Sequence, residues 1–221
     1  MKLSVLKESQ KNETRVALAP ESVNNLIKLG FEVFVQIDAG LLSGYTNKEY
    51  EDSGAKIVDR EECLNNKSIC LVVRLPKIQD ISKISKNTIL IGILDPYENK
   101  ESLTQLKDYQ ITSITMELIP RISRAQNMDV LSSQANLAGY RAVIDAANQF
   151  TKAFPMMMTA AGRINPAKVM VLGVGVAGLQ AIATAKRLGA VVSATDVRRA
   201  TKEQVESLGG KFIMVEDEES R

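Results

Sequence analysis

The stretch Val171-Leu-Gly-Val-Gly-Val-Ala-Gly-Leu-Gln180 carries three glycines in the pattern G-x-G-x-x-G. Alone, the pattern is weak evidence for a ligand site, because glycine is common and tight turns favour it. Here it follows an apolar segment typical of a strand, Lys168–Leu172, and opens a segment with helical character at 177–189. A glycine turn between a strand and a helix predicts a dinucleotide-binding turn.

The three glycines have separate predicted tasks. Gly173 permits the sharp turn, Gly175 lets the backbone approach a pyrophosphate, and Gly178 lets the helix pack closely on the strand. Free N–H groups at the helix N-terminus add a partial positive charge that attracts phosphate. We therefore predict that these glycines, with Val174 and Val176 between them, bind the pyrophosphate of the cofactor.

The cofactor class depends on the residue at the end of the next strand. Asp196 stands where a carboxylate is expected to bind the hydroxyls of the adenosine ribose. A carboxylate repels a 2′-phosphate, so it favours NAD(H), but Arg198 and Arg199 follow directly and keep NADP(H) open as an alternative. We give the carboxylate more weight, and we include Val197 and Arg198 among the cofactor-binding candidates.

Alternating strands and helices predict an α/β protein with two domains. Unbroken apolar runs at 69–75 and 88–94 are typical of strands buried on both faces of a parallel sheet. We predict an N-terminal domain over 1–131 and a second domain over 132–221, joined by a long helix at 134–154 that Pro155 ends. The helix carries an apolar stripe that includes Leu137, Tyr140 and Phe154, and the connector after it holds Met156-Met157-Met158, which we expect to fill a core or an interface. The strands and helices from 168 to 215 make half of a doubly wound sheet, so the second domain is expected to be incomplete.

Composition excludes several classes of function. The net charge is +2 in 221 residues, without the basic concentration that a nucleic-acid partner requires. No apolar run reaches about 18 residues, so no direct membrane span is expected, and the polar start lacks an apolar signal core, so no secretory signal is expected. Two cysteines in no CxxC pattern are expected to be reduced thiols of a cytosolic protein. The chain has no histidine, which removes the commonest acid–base group and metal ligand, and no metal site is expected.

Longer stretches resemble one family. They are 173–190, the following Ala-Thr-Asp-Val-Arg at 194–198, 203–210, and Arg121-Ile-Ser-Arg-Ala-Gln-Asn-Met-Asp-Val-Leu-Ser-Ser-Gln-Ala-Asn-Leu-Ala-Gly-Tyr-Arg-Ala-Val143. With Lys7-Glu8 and 14–20, they make nearly the whole chain similar to the NAD(H)-binding domain I, in the alpha subunit, of proton-translocating NAD(P) transhydrogenases, which are related to alanine dehydrogenases. The 121–143 motif is far more specific than the glycine pattern.

The resemblance implies a fold, an activity and partners. It implies a flavodoxin-like or alanine-dehydrogenase N-terminal-like domain followed by a Rossmann domain. It implies that NADH bound here passes hydride to NADP⁺ on a separate domain, and that a membrane domain couples this transfer to proton movement. The expected partners are therefore the membrane and NADP(H)-binding domains and a second copy of domain I, and the expected location is cytoplasmic, peripheral to the inner membrane.

The resemblance also assigns residues beside the nicotinamide. An Arg-Gln-Asp set of the family corresponds here to Arg121, Gln126 and Asp129, which are the predicted catalytic residues and also contact the cofactor. Gln126 and Asp129 would hold the nicotinamide carboxamide or ribose, and Arg121 would hold the loop or meet the pyrophosphate and the partner nucleotide. Further cofactor-binding candidates in the same motif are Ser123, Arg124 and Ser132.

Two alternatives to a transhydrogenase subunit remain. The first is alanine dehydrogenase, a family in which the residue that resembles Arg15 contacts the substrate carboxylate. However, Arg74 stands where that family would use a lysine, and Asp95 lies near where it would use a histidine. Hydride transfer between two nicotinamides moves no proton, which suits a chain without histidine better than imine chemistry does. The second is a non-catalytic remnant, because the family domain continues past residue 221 and we expect this chain to be truncated. Glu8 and Arg15 are expected to form a structural ion pair.

Overall fold

The computed structural model describes residues 1–214, which fall into two units. The first unit is Met1–Asp129, and the second begins at Val130. The last residue of the final predicted strand, Val215, and the charged tail at 216–221 lie outside the described residues.

The first unit is built on a six-stranded sheet in which every neighbouring pair is parallel. Its strands are β1 (Lys2–Val5), β2 (Glu32–Gln36), β3 (Lys56–Val58), β4 (Ile69–Arg74), β5 (Ile89–Ile93) and β6 (Thr112–Thr115). The order is β3-β2-β1-β4-β5-β6, so the direction of winding reverses between β1 and β4. The predicted doubly wound α/β class is confirmed.

Helices connect these strands. They are α1 (Pro20–Lys28), α2 (Asn47–Asp52), α3 (Arg60–Leu64), α4 (Ile78–Ile81) and α5 (Lys100–Asp108). Helix α1 begins at Pro20, a residue suited to the first helical position, and Gly30 follows its end with φ +88°, a conformation that glycine adopts without strain. The sequence pattern does not predict α3 and α4, because four or five residues are too few to show a helical period.

Alternation along the strands divides the core of the first unit between the two faces of the sheet. On β4, Cys70 and Val72 belong to one buried cluster, whereas Ile69 and Leu71 pack against the other. Cys63 and Cys70 are both buried with free thiols, and burial raises the pKa of each thiol to about 12. Both faces of the sheet are therefore covered by apolar side chains, as the unbroken apolar runs predict.

An ionic cluster lies where the winding reverses, at the carboxyl ends of β1 and β4. Arg15 forms its ion pair with Glu13, at 2.6 Å, rather than with Glu8 as predicted, and Arg74 Nε lies 3.4 Å from the same carboxylate. Glu8 instead accepts backbone N–H groups from Val73 at 2.6 Å and from Arg74 at 3.2 Å. The N–H groups at the end of β4 thus bind the carboxylate that was predicted to pair with Arg15.

The second unit contains a three-stranded parallel sheet in the order β11-β10-β9. Its elements are α6 (Val130–Gln149), β7 (Met157–Thr159), β8 (Gly162–Ile164), β9 (Lys168–Leu172), α7 (Val176–Arg187), β10 (Val191–Thr195), α8 (Lys202–Ser207) and β11 (Lys211–Phe212). The predicted alternation of strands and helices from 168 onward is confirmed within the described residues.

The long helix α6 has bounds and a buried face that differ from the prediction. It spans 130–149 instead of 134–154, because the chain turns after Gln149 so that Phe154 enters the core of the second unit and its carbonyl accepts the N–H of Ala167. Its buried residues are Gly139 and Val143, whereas Leu137 and Tyr140 of the predicted stripe are about half exposed. A Cβ on Gly139 would lie 2.1 Å from the carbonyl oxygen of Ala177, so glycine is what permits α6 to approach α7.

The connector after α6 forms an exposed antiparallel hairpin of β7 and β8, which the sequence pattern did not predict. Every residue of both strands is exposed, and Met156, Met158 and Ile164 expose 51%, 70% and 46% of their surface. These methionines therefore do not fill the core of this unit. Of the two predicted roles, filling a core or an interface, the interface remains.

We predict that Glu13 stabilises the first unit in a pH-dependent way. The hydrogen bond from Arg15 lowers the pKa of Glu13 to about 2, from an ordinary value of 4.5. This contribution is therefore present above pH 4.5 and is lost as the pH falls towards 2. Glu13→Gln should lower the free energy of unfolding by roughly 1–2 kcal/mol at pH 7, since both arginines are partly exposed and screened.

The measurement is urea unfolding of both proteins from pH 7 to pH 2.5, and the difference in free energy should shrink below pH 4.5. Glu98→Gln, at an exposed position of the same unit, is the control and should leave the pH profile of the wild type unchanged. A Glu13→Gln difference that stays constant over this range would contradict the assignment.

Candidate functional site

The glycine turn joins β9 to α7 with little space for side chains. Gly173 has φ +90°, and its N–H donates to the carbonyl of Thr195 at 2.9 Å, which ties the turn to the end of β10. A Cβ on Gly178 would lie 2.0 Å from the carbonyl oxygen of Gly173, so no larger residue fits there without moving the turn. Position 173 thus requires glycine for its backbone conformation, and position 178 requires glycine for close packing.

Gly175 differs from its two neighbours because the protein itself does not require a glycine there. Its φ is −83°, which any residue adopts, and no atom lies within 4 Å of where a Cβ would stand. It is the N-cap of α7, and no side chain caps this helix end. Open space over Gly175 thus adjoins the N–H groups of the first helical turn, whose partial positive charge favours anions.

Asp196 lies directly beside this turn, at the end of β10. Its Oδ2 accepts the backbone N–H of Val174 at 2.6 Å, which links the predicted ribose carboxylate to the predicted pyrophosphate turn. The hydrogen bond from the Arg198 side chain, followed by the backbone N–H groups of Arg198 and Val174, holds the pKa of Asp196 well below its usual range. Asp196 is therefore a carboxylate anion throughout the physiological pH range.

The other predicted residues of this region have different surroundings. Val197 is 98% exposed. The guanidinium of Arg198 forms two hydrogen bonds with Asp196, through Nε and Nη2, each at 3.0 Å. Val176 begins α7 and also lines a cavity of about 410 Å³ among α6, α7 and α8, together with Leu179 and Leu208.

In the first unit, the segment after β6 forms a 3₁₀ turn at Ser123–Met128. Arg121 Nε donates to Asp129 Oδ2 at 3.4 Å across this turn. Both residues line a cavity of about 370 Å³ with Ser123 and Gln126, above the buried methyl group of Ala125. The structure thus brings the predicted Arg-Gln-Asp set around one small polar concavity.

Two other candidates belong to the same motif. Arg124 is exposed and does not line the cavity. Ser132 belongs to the first turn of α6, in the second unit. The sequence-based prediction did not include Gly139, although a glycine inside an apolar helical segment is itself a signal of close packing, and it did not include the pairing of Arg198 with Asp196.

Over residues 1–214, no helix combines the length and the apolar character needed to cross a bilayer. In the same residues, no three side chains of His, Cys, Asp or Glu are grouped so that they could hold a metal ion.

Two family models match consecutive parts of the chain. Residues 4–138 match the N-terminal domain of alanine dehydrogenase/PNT, and residues 142–221 match the C-terminal domain of the same pair. Together they account for nearly the whole chain.

Individual relatives agree with these models. The chain is 53% identical over 224 residues to the first part of the NAD(P) transhydrogenase alpha subunit of Rhodospirillum rubrum, covering 99% of this chain and 58% of that protein. It is 54% identical to the solved transhydrogenase of Sinorhizobium meliloti, with a TM-score of 0.95 over 97% of this chain and 64% of the other. Alanine dehydrogenase of Bacillus subtilis is 29% identical, over 96% of this chain and 56% of its own length. The chain thus spans under two thirds of each of these proteins.

We predict that alanine substitutions at two of the glycines separate folding from ligand access. Gly178→Ala places a Cβ against the Gly173 carbonyl, so it should lower the free energy of unfolding by about 1–3 kcal/mol despite the better helix propensity of alanine. Gly175→Ala enters open space and should change that free energy by about 1 kcal/mol or less. Urea unfolding of the two variants tests both values, and equal destabilisation would show that Gly175 is also a packing glycine.

Proposed function

The chain belongs to the alanine dehydrogenase/PNT family, and from that membership we propose that it is the NAD(H)-binding part of a proton-translocating NAD(P) transhydrogenase. In this proposal the chain positions NADH for direct hydride transfer to NADP⁺ on a partner domain. The transfer is coupled to proton translocation by the membrane part of the assembly.

The open space over Gly175 is the observation that carries the proposal. A glycine that neither backbone conformation nor packing requires has its explanation in a ligand that comes close to the backbone. Because Asp196 is bonded to the N–H of Val174 in the same turn, a dinucleotide with its pyrophosphate over Gly175 would bring its adenosine ribose towards this carboxylate. The carboxylate favours NAD(H) over NADP(H) through repulsion of the 2′-phosphate.

We assign the nicotinamide end to Arg121, Gln126 and Asp129. Bound NADH would supply the hydride, and its transfer to a second nicotinamide requires no proton donor or acceptor. The task of the protein is orientation, which contributes several kcal/mol, about 7–11 in the best cases. The amide of Gln126 and the carboxylate of Asp129 can fix the carboxamide or ribose, and Arg121 holds Asp129 in place. Ser123 and Arg124 on the same segment and Ser132 on α6 complete the proposed cofactor contacts.

The proposed partners follow from this role. NADP(H) binds to a separate domain or subunit, and membrane domains conduct the proton, so the chain acts in the cytoplasm at the inner membrane through its partners. A second copy is a further partner, through the segment around the exposed β7–β8 hairpin. The apolar surface of Met156, Met158 and Ile164 supports an interface there.

Alanine dehydrogenase is the alternative within the family, because alanine dehydrogenases also match the chain. The geometry of the first unit does not favour it. Arg15 and Arg74 share the carboxylate of Glu13, and Arg74, a permanent cation, stands where that enzyme would use a lysine. Oxidation of alanine with NAD⁺ by the purified chain would support this alternative.

We predict that the purified chain is a dimer through the hairpin. Met158→Glu places a charge at a methionine that is 70% exposed, so it should convert the dimer to a monomer without unfolding the protein. Sedimentation velocity gives the mass of both proteins, and Leu42→Glu, at a similarly exposed leucine of the first unit, is the control. A wild-type monomer, or a dimer unaffected by Met158→Glu, would contradict this interface.

We predict that the chain binds NADH in preference to NADPH and that Asp196→Ala weakens NADH binding by about tenfold or more, because it removes the acceptor for two ribose hydroxyls. The measurement is a fluorescence titration with each nucleotide. Gly175→Ala should also weaken binding while keeping its fold, because its methyl group occupies the predicted pyrophosphate position.

Asp145→Ala removes an exposed carboxylate of α6 and serves as the matched control, with wild-type affinity expected. Folding of each variant is checked by circular dichroism. A folded wild-type chain that fails to bind NADH would favour the non-catalytic remnant over a working NAD(H) subunit.

A further inference from the structure

The carboxylate of Asp196 already has a full set of hydrogen-bond donors. Its Oδ1 accepts the backbone N–H of Arg198 at 2.8 Å and the side-chain Nε of Arg198 at 3.0 Å. Its Oδ2 accepts the backbone N–H of Val174 at 2.6 Å and Arg198 Nη2 at 3.0 Å. A carboxylate offers about four acceptor positions, so no position remains for the hydroxyls of a ribose.

The four donors differ in how readily they can leave. The two backbone N–H groups are fixed by the turn and by the segment after β10, where Thr201 donates through its hydroxyl to the carbonyl of Arg198 at 2.8 Å. The guanidinium stands at the surface and also donates to the Val174 carbonyl at 3.2 Å. The Arg198 side chain is 60% exposed, whereas only 6% of the Asp196 side chain is exposed. Rotation of one side chain therefore uncovers Asp196 and frees two acceptor positions, while the backbone stays in place.

We propose that Arg198 is a latch that closes the adenosine ribose subsite, and that it must leave Asp196 before a dinucleotide can bind there. The proposal rests on the proposed NAD(H)-binding role. The two positions that Arg198 frees equal the two hydroxyls, 2′ and 3′, of an adenosine ribose. NADH thus competes with an internal cation for the same carboxylate.

The latch also affects selectivity between the two nucleotides. A released guanidinium remains tethered two residues from Asp196, next to the ribose, where it is a ready partner for a 2′-phosphate. Arg198 therefore acts against NADH while closed and favours NADPH when open. Removing the side chain should improve NADH binding and increase the preference for NADH, whereas a general loss of positive charge would weaken both nucleotides.

The test compares the wild type with Arg198→Ala, Arg198→Lys and the control Arg199→Ala, which removes the same charge one position along while leaving the Arg198 guanidinium on Asp196. Each protein is titrated with NADH and with NADPH, and the association rate of NADH is measured by stopped-flow fluorescence. Arg198→Ala should bind NADH about two- to fivefold more tightly and faster, with no gain for NADPH. Arg198→Lys has one ammonium group in place of the guanidinium that forms two hydrogen bonds, so its affinity for NADH should lie between those of the wild type and Arg198→Ala. Arg199→Ala should show no gain in affinity for NADH.

The measurements distinguish failure of the latch from failure of the nucleotide-binding role. If the wild type binds NADH and Asp196→Ala weakens it, but Arg198→Ala binds NADH equally or less well, the latch is overturned and the nucleotide role stands. If no variant binds NADH, or if Asp196→Ala has no effect, the ribose subsite itself is wrong and the latch is overturned with it. Since Arg198 is mostly exposed, these variants are expected to fold, and circular dichroism checks this directly.

Discussion

Close backbone contact at the start of α7 is the constraint on which the second unit depends. The carbonyl of Gly173 faces the first turn of the helix so closely that Gly178 can carry no side chain, and on the other side α6 approaches the carbonyl of Ala177 through Gly139. These contacts press α7 against both the sheet and the long helix. With the hydrogen bond from Gly173 to Thr195, they fix the position of the turn relative to β10. Any ligand over the turn therefore meets a rigid backbone, which is favourable for recognition by N–H groups.

Within this rigid frame, two features are not explained by folding. Gly175 has open space above it, and Asp196 is an ionised carboxylate that the exposed side chain of Arg198 covers. The first unit shows a comparable division between the sheet, which both buried clusters support, and the ionic cluster of Glu13, Arg15 and Arg74 at its point of reversal. In doubly wound sheets this point is where ligands commonly bind, and here the carboxylate of Glu13 pairs with both arginines.

The class of both sheets and the glycine turn could be predicted from the sequence, because apolar runs and glycine spacing are local properties. Features that depend on distant neighbours could not. Glu13, rather than Glu8, pairs with Arg15 because backbone N–H groups of β4 donate hydrogen bonds to Glu8. Helix α6 ends at Gln149 because the chain turns there and buries Phe154 in the core. Likewise, the half-exposed stripe of Leu137 and Tyr140 follows from the packing of α6 through Gly139, which hydropathy does not reveal. The pairing of Arg198 with Asp196 spans only two residues, yet it depends on side-chain direction and not on pattern.

The burial of both cysteines has a practical consequence. The two thiols of the chain lie in the first unit, with 0% and 1% of their surfaces exposed, and burial keeps them protonated far above neutral pH. A thiolate-specific reagent therefore reacts only when this unit opens. The rate of alkylation therefore reports the opening of the first unit without any engineered label, and it can be followed while nucleotide is added.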